Sequence, residues 1–185
     1  EKVPRVDSPI GSIPQGWQFS TLSQLVDTQY GYTESSNPDP VGPKYLRGMD
    51  INKTSYIDWS EVPYCPIPPE ESAHYRLRKG DVVVIRMADP GKVGIVEQDI
   101  EAVFASYLIR VVPKGDCLSP YFLFHLLDSR PYQDYISGAS TGTTRKSASA
   151  AVVTGFEFVL PPRHLVELFE QQAVSIRRLL TNLIQ

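Results

Sequence analysis

Cysteine, histidine and long apolar runs are all scarce in this chain, and each scarcity closes off a class of chemistry. There are two cysteines and three histidines among 185 residues. Cys65 and Cys117 form no CxxC pair, and His74, His125 and His164 share no metal-ligand spacing, so no metal site is expected. Two isolated cysteines with no leader segment fit reduced thiols in a cytoplasmic protein. No apolar run approaches the roughly 20 residues that cross a bilayer, so no membrane partner is expected. A Walker loop, a glycine-rich methyl-donor loop after a strand and a paired acid–lysine nuclease pattern are all missing. Asn37-Pro-Asp-Pro40 hints at an amino-methyltransferase loop, but its second proline and stacking aromatic are misplaced. Asp81 and Asp89 sit beside glycine or proline and read as turn residues. No catalytic residue and no cofactor follow from this sequence.

Proline, by contrast, is abundant at 16 residues, above the usual share of about 5%. That points to short elements joined by stiff loops. The net charge of −3 argues against a globally basic surface, yet the charges are segregated. Glu34, Asp39, Asp50, Asp58, Glu61, Glu70 and Glu71 crowd one stretch, whereas Arg76, Arg78, Lys79, Arg86 and Lys92 dominate the next. Local field, not net charge, steers a charged ligand.

Residues 1–13 read as a polar lead-in without periodicity. Trp17 to Leu22 alternates as a short strand, Ser23 to Asp27 suits a helical turn, and the glycines and prolines between Tyr30 and Pro43 mark a loop. Tyr45 to Ile51 reads as a strand interrupted by Gly48, followed by a proline-rich loop from Val62 to Pro69. Val82 to Met87 is the most strand-like run, turned back by Asp89-Pro-Gly91 into Val93 to Val96. Ala102 to Val112 reads as one strand with Val103, Ala105, Tyr107, Ile109 and Val111 on one face. Ser119-Pro120 starts a helix, with serine as cap and proline in its first turn. A short helix from Tyr132 to Ile136 is closed by Gly138, a helical turn falls between Ser147 and Val153, and Gly155 to Leu160 alternates as a strand. The fold class expected is α+β: short, mostly antiparallel strands with helices, then a long helix.

That last helix differs in kind. Leu165, Phe169, Gln172, Ile176, Leu179 and Leu183 recur at spacings of four and three, a heptad seam. Two placements suit it: folded back on its own domain, or meeting another helix. Thr141-Gly-Thr-Thr-Arg-Lys-Ser147 is the best candidate site. Its glycines permit close backbone approach, while Thr143, Thr144, Arg145 and Lys146 offer hydroxyls and charge suited to phosphate. The other reading is a polar linker. Arg86 and Lys92 flank the Asp89-Pro-Gly91 turn and reach the same ligand if both loops share a face.

Taken in order, a set of motifs is similar to the target-recognition domain of type I restriction–modification specificity subunits. They are Pro14-x-Gly-Trp17, Tyr45-Leu-Arg-Gly48, Lys79-Gly-Asp-Val-Val-Val-Ile-Arg-Met87, Gly91-Lys-Val-Gly-Ile95, Ser119-Pro-Tyr-Phe-Leu-Phe-His-Leu-Leu127, Thr141-Gly-Thr-Thr144, and Leu160-Pro-Pro162 before a long helix. The resemblance runs from Ile13 to Gln185 and rests on order and spacing. It implies a non-catalytic, sequence-specific reader of double-stranded DNA, with residues 14–161 as the recognition domain and 162–185 as the helix for subunit contact. It also implies methyltransferase subunits that modify adenine N6 and a restriction subunit as partners. Such subunits hold two recognition domains separated by long antiparallel helices. One domain and one helix here imply a fragment, or a half-size subunit pairing with its own copy. The Glu-Gln that many relatives carry just after the Pro-Pro lies later here, at Glu170-Gln171. Base-edge contacts are expected near Lys44, Tyr45 and Arg47 and from Arg86 to Lys92, with arginine on guanine the favoured pairing. The alternatives are a recognition domain from another restriction enzyme type, or a protein-interaction module built on the heptad helix.

Overall fold

The run Val82-Val-Val-Ile85 is buried at every position, as a strand must be when both faces of its sheet are covered. The architecture follows from that. In the computed structural model, which describes residues 4–52, 56–142 and 146–184, this run is β6 (Val82–Ile85). It lies inside a four-stranded antiparallel sheet with β4 (Val26–Tyr30), β8 (Val93–Ile95) and β10 (Leu108–Pro113), in the order β4-β10-β6-β8. Val82 and Val84 point into a core covered by α4 (Pro120–Asp128), α5 (Arg130–Ala139) and α6 (Ala150–Thr154). Val83 and Ile85 point the other way, into a core with Leu46, Ile51, Trp59 and Phe104. Each such side chain contributes about 1.5–3 kcal/mol on burial.

Smaller ladders surround this sheet. β3 (Gln18–Thr21) pairs with β12 (Glu157–Leu160), and β5 (Lys44–Leu46) pairs in parallel with β9 (Ala102–Phe104). α1 (Leu22–Leu25) starts where the Gln24 side chain accepts the Thr21 backbone N–H at 3.2 Å.

Several elements depart from the sequence expectation. The lead-in contains a hairpin, β1 (Arg5–Ser8) with β2 (Gly11–Pro14). It escapes periodicity because only Ile13 of its apolar residues is buried, while Val6 and Ile10 face outward. Gly48, read as interrupting a strand, instead opens α2 (Gly48–Asn52) directly after β5. Ala102 to Val112 is two strands, not one. A turn closed by the Leu108 N–H on the Ala105 carbonyl, at 2.9 Å, takes the chain from β9 into β10. Val103 and Ala105 therefore sit in a different core cluster from Ile109 and Val111, and Tyr107 is exposed. Within the proline-rich stretch, α3 (Pro69–Tyr75) begins at Pro69, with Glu70 and Glu71 in a first turn that favours acids. α5 runs through Gly138 instead of stopping there.

Ser119 takes the extended cap conformation before α4, but its hydroxyl accepts no bond from the helix. The Glu170 carboxylate does so instead, accepting the Tyr121 N–H at 2.9 Å. Its charge also suits a helix N-terminus. Glu170 belongs to α7 (Arg163–Ile184), about 33 Å long at about 1.5 Å per residue. This helix has two distinct faces. Val166 is buried, and Glu170, Val174, Arg177 and Thr181 are half-buried against the domain. The Arg177 guanidinium makes a two-point bond to Glu97, at 2.8 and 2.9 Å, and lies 3.8 Å over the Tyr56 ring. The Tyr121 hydroxyl donates to the same carboxylate at 2.6 Å. This bonding raises the arginine pKa, while burial and then the Glu97 bond raise the tyrosine's.

The Arg177–Glu97 pair is only about one-fifth exposed, whereas the Arg163–Glu167 pair on the same helix is more than half exposed. A double-mutant cycle in urea with Glu97→Gln and Arg177→Met should give a coupling of about 1–2 kcal/mol, partly screened by solvent. The equivalent cycle at Arg163 and Glu167 should give little measurable coupling, and equal couplings would show that burial adds nothing to the Arg177–Glu97 pair.

His125 sits between α4 and α7, with ring centroids 5.0 Å from Phe124 and 5.5 Å from Phe169. Burial holds its pKa below the ordinary value near 6.5, against an opposing pull from Asp128 and Glu170. The unfolded chain therefore takes up this proton first as pH falls. The stabilisation is complete above about 6.5 and is lost as pH drops through the lowered folded value. His125→Phe should consequently show a shallower loss of stability on acidification than the parent protein, read from urea midpoints across that range.

Candidate nucleic-acid interface

At the end of β6 the chain leaves the sheet at Arg86 and forms β7 (Met87–Ala88), which pairs antiparallel with β11 (Lys146–Ser147). The Ala148 N–H donates to the Arg86 carbonyl at 2.8 Å. Thr141 and Ser147 bond each other's backbones at 3.0 and 2.9 Å, closing the loop between them. The two glycine-bearing stretches singled out in the sequence are thus neighbours on one edge of the domain. Thr143, Thr144 and Arg145 lie outside the described residues. Lys146 is exposed.

The turn that follows β7 is under conformational stress. Ala88 has φ of 73°, in the left-handed region that favours glycine, and such stress concentrates at functional sites. Gly91 has φ of 103°, and a Cβ there would stand 2.4 Å from Ile136 Cγ2. The turn therefore needs glycine both for its conformation and for its seat on α5, where Gln133 donates to the Gly91 carbonyl at 2.9 Å. Lys92 pairs with Asp89 at 3.0 Å, both about half exposed. The Arg86 guanidinium lies 4.9 Å over the Tyr30 ring, with Nη1 3.6 Å from Met87 Sδ.

A second feature adjoins this turn. A cleft of about 410 Å³ opens between the loop around Glu34, the segment at Arg47 to Met49, the turn at Met87 to Asp89, and Tyr107. Arg47 is held there by Asp50, through Nη2 to Oδ1 at 2.8 Å and Nε to Oδ2 at 3.1 Å. Ser36 Oγ lies 3.3 Å from Nη1. Ser36 escaped the sequence reading and Asp50 entered it only as one of the segregated acids, although the three-residue spacing of Arg47 and Asp50 could have signalled the pair. Tyr45, anticipated as a base contact, is 3% exposed and lies in the floor. Its hydroxyl donates to the Tyr32 carbonyl at 2.8 Å and accepts the Glu34 N–H at 3.2 Å. Burial raises its pKa, so it serves as a prop for the Glu34 loop. Lys44 turns away from the cleft. Its ammonium donates to the Val62 carbonyl at 2.6 Å and lies 4.3 Å over the Tyr64 ring. The structure therefore brings Arg47 together with the Met87 to Asp89 turn, and leaves Lys44 outside that group.

The anticipated seam forms one outward stripe of α7. Leu165 is half-buried and Phe169, Gln172, Ile176 and Leu179 are exposed, ending in Leu183 at 81% exposure. Phe169 also touches Phe122, with ring centroids 5.6 Å apart. Among the described residues no group of histidine, cysteine and acidic side chains could hold a metal ion. No described helix is long and apolar enough to cross a membrane.

No family model matches the chain. It is 28% identical over 142 residues to the type I restriction enzyme EcoBI specificity subunit of Escherichia coli, an alignment covering 73% of this chain and 29% of that protein. It is 29% identical over 188 aligned positions to the MjaVIII specificity subunit of Methanocaldococcus jannaschii, covering 96% and 42% respectively. The chain thus spans less than half the length of either relative. Among solved structures, the HsdS subunit from Thermoanaerobacter tengcongensis superposes with a TM-score of 0.61 at 19% identity, covering 92% of this chain and 41% of that one. The S subunit of a type I restriction–modification system from M. genitalium gives 0.56 at 15% identity, covering 88% and 41%. In sequence the chain is thus similar to parts of two type I restriction enzyme specificity subunits, and it shares its fold with solved specificity subunits.

Proposed function

We propose that this chain reads double-stranded DNA as the specificity subunit, or half of one, of a type I restriction–modification complex. The observation that carries the reading is the pairing of β7 with β11. It brings the backbone at Lys146 and Ser147 beside Met87 and Ala88, which also line the cleft that holds Arg47. The names of the relatives point the same way.

On this reading the chain supplies recognition and no chemistry. Methyltransferase subunits modify the adenine, and a restriction subunit cleaves. Residues 14–161 act as the recognition domain. The helix from 162 onward acts as the dock, its exposed seam facing a partner helix, either from a second recognition domain or from a second copy of the chain. The division of labour at the DNA follows from the side chains. Hydroxyls and cations at Thr143, Thr144, Arg145 and Lys146 sit on phosphates, which set register without carrying sequence. Arg47, Arg86 and Lys92 face base edges.

Methylation mapping in cells with and without this gene tests the reading directly. A methylated adenine motif should vanish with the gene, and an unchanged methylome would sink the proposal. Within it, the double variant Arg145→Ala, Lys146→Ala should weaken binding to all duplexes alike. Its slope of log affinity against log salt should flatten by about one to two phosphates. An unchanged slope across several salt concentrations would remove these residues from the phosphate contact.

A further inference from the structure

We infer that Arg47 is the residue that reads a guanine, through the O6 and N7 acceptors of its major-groove edge, and that Asp50 is the positioning residue that aims it. The inference rests on the DNA-reading proposal and adds a base identity and a named pair to it.

The geometry begins with which donors are already used. Guanidinium N–H bonds lie along two paired edges, one made by Nε with Nη2 and the other by Nη1 with Nη2. Asp50 occupies the first edge in full, at 3.1 and 2.8 Å. The second edge retains its Nη2 donor, and the bond from Nη1 to Ser36 is long at 3.3 Å. That second edge matches the spacing of guanine O6 and N7, the commonest specific pairing of arginine with a base.

The clamp is also stiff. The Asp50 side chain is 7% exposed, against 27% for Arg47. Its carboxylate accepts the Arg47 backbone N–H as well, at 2.8 Å, while the Asp50 N–H returns to the Arg47 carbonyl at 3.1 Å. One turn of chain thus holds both ends of the arginine. A side chain ordered beforehand loses less entropy on binding.

The surroundings favour a base edge over a phosphate. Glu34 lines the same cleft, with Asp89, itself paired to Lys92, beside it, and the Glu34 carboxylate repels a phosphate while tolerating a neutral ring. Met49 and Tyr107, exposed at 62% and 46%, line it too and offer apolar area to a flat ligand.

The test uses the chain assembled with its partner subunits. The preferred site is first selected from a pool of randomised duplexes. Each guanine of that site is then replaced in turn by 7-deazaguanine, which lacks the N7 acceptor. The parent complex should lose affinity about five- to a hundred-fold at one guanine. Arg47→Ala should lose discrimination at that guanine and at no other. Arg47→Lys, which keeps the charge but not the fork, should behave like Arg47→Ala. Asp50→Asn should lose part of the same discrimination at the same position, with folding checked by thermal melting. If Asp50→Asn does not fold, the two Arg47 variants decide the matter. Equal weakening on every duplex, with a salt slope lower by about one, would make Arg47 a phosphate contact and overturn the inference. Unchanged affinity and discrimination in Arg47→Ala would make the pair a loop staple and overturn it too. A parent complex that selects no duplex from the pool sinks the DNA-reading proposal itself, an outcome separate from either of these.

Discussion

Everything in this molecule is referred to a sheet that is covered on both faces. β6 feeds alternate side chains to two cores, Val82 and Val84 to one and Val83 and Ile85 to the other. Neither core can shift without the other. The strand ends at Ile85, and the next residues are Arg86 and the strained Ala88 turn. The Met87 to Asp89 turn is thus the direct continuation of a strand buried at every position. A left-handed alanine costs of order 1–2 kcal/mol. It persists here because β11, Gly91 and α5 fix the turn from three sides.

The long helix applies the same economy to its two faces. At about 100° per residue, the line through Val166, Glu170, Arg177 and Thr181 and the heptad seam lie well apart around the axis. The first is taken up by the domain through Glu97, Tyr56, Tyr121 and the first turn of α4. The second is exposed from Gln172 to Leu183, while Phe169 at its start packs on Phe122 and His125. The two placements weighed for this helix therefore do not exclude each other: it folds back along one face and keeps the other open. Burying Ile176, Leu179 and Leu183 would each release about 1.5–3 kcal/mol, a standing incentive for a partner helix. A seam held at a defined angle to the sheet and its helices can transmit geometry. The same seam on a loose tether could not.

Legibility from sequence tracked how local the deciding interaction was. β6 and β8 were readable because a valine run and an Asp-Pro-Gly turn announce them within fifteen or so residues. α4 showed in Ser119-Pro120, and α7 in its heptads. The break between β9 and β10 was hidden because Ser106 and Tyr107 carry no glycine or proline to mark a turn. The β1–β2 hairpin was hidden because its exposed residues dilute the alternation. At the candidate site, residue type was visible but orientation was not. Tyr45 and Lys44 have the right chemistry for DNA, yet one is consumed by the Tyr32 and Glu34 backbone and the other by Val62 and Tyr64. An amphipathic side chain can satisfy either a ligand or its own loop, and only tertiary structure decides between them. The pairing of β7 with β11 joins two-residue segments far apart in sequence, below the reach of any periodicity.

A chain of net charge −3 is an unlikely shape for a polyanion binder only if affinity is supposed to come from a broad positive field. On the proposed reading it need not. Phosphate contacts supply affinity without sequence, and base contacts supply sequence with little help from net charge. A net negative charge is then an advantage, because it lowers binding to the vast excess of wrong sites. The carboxylates beside Arg47 fit this logic. They would penalise a strand of phosphates lying in the cleft and so keep it for an edge with the right acceptors. The acidic balance of the chain and the clamped arginine are, in this view, two parts of one device for choosing among duplexes, with the affinity left to partner subunits and to the loop at Thr141 to Ser147.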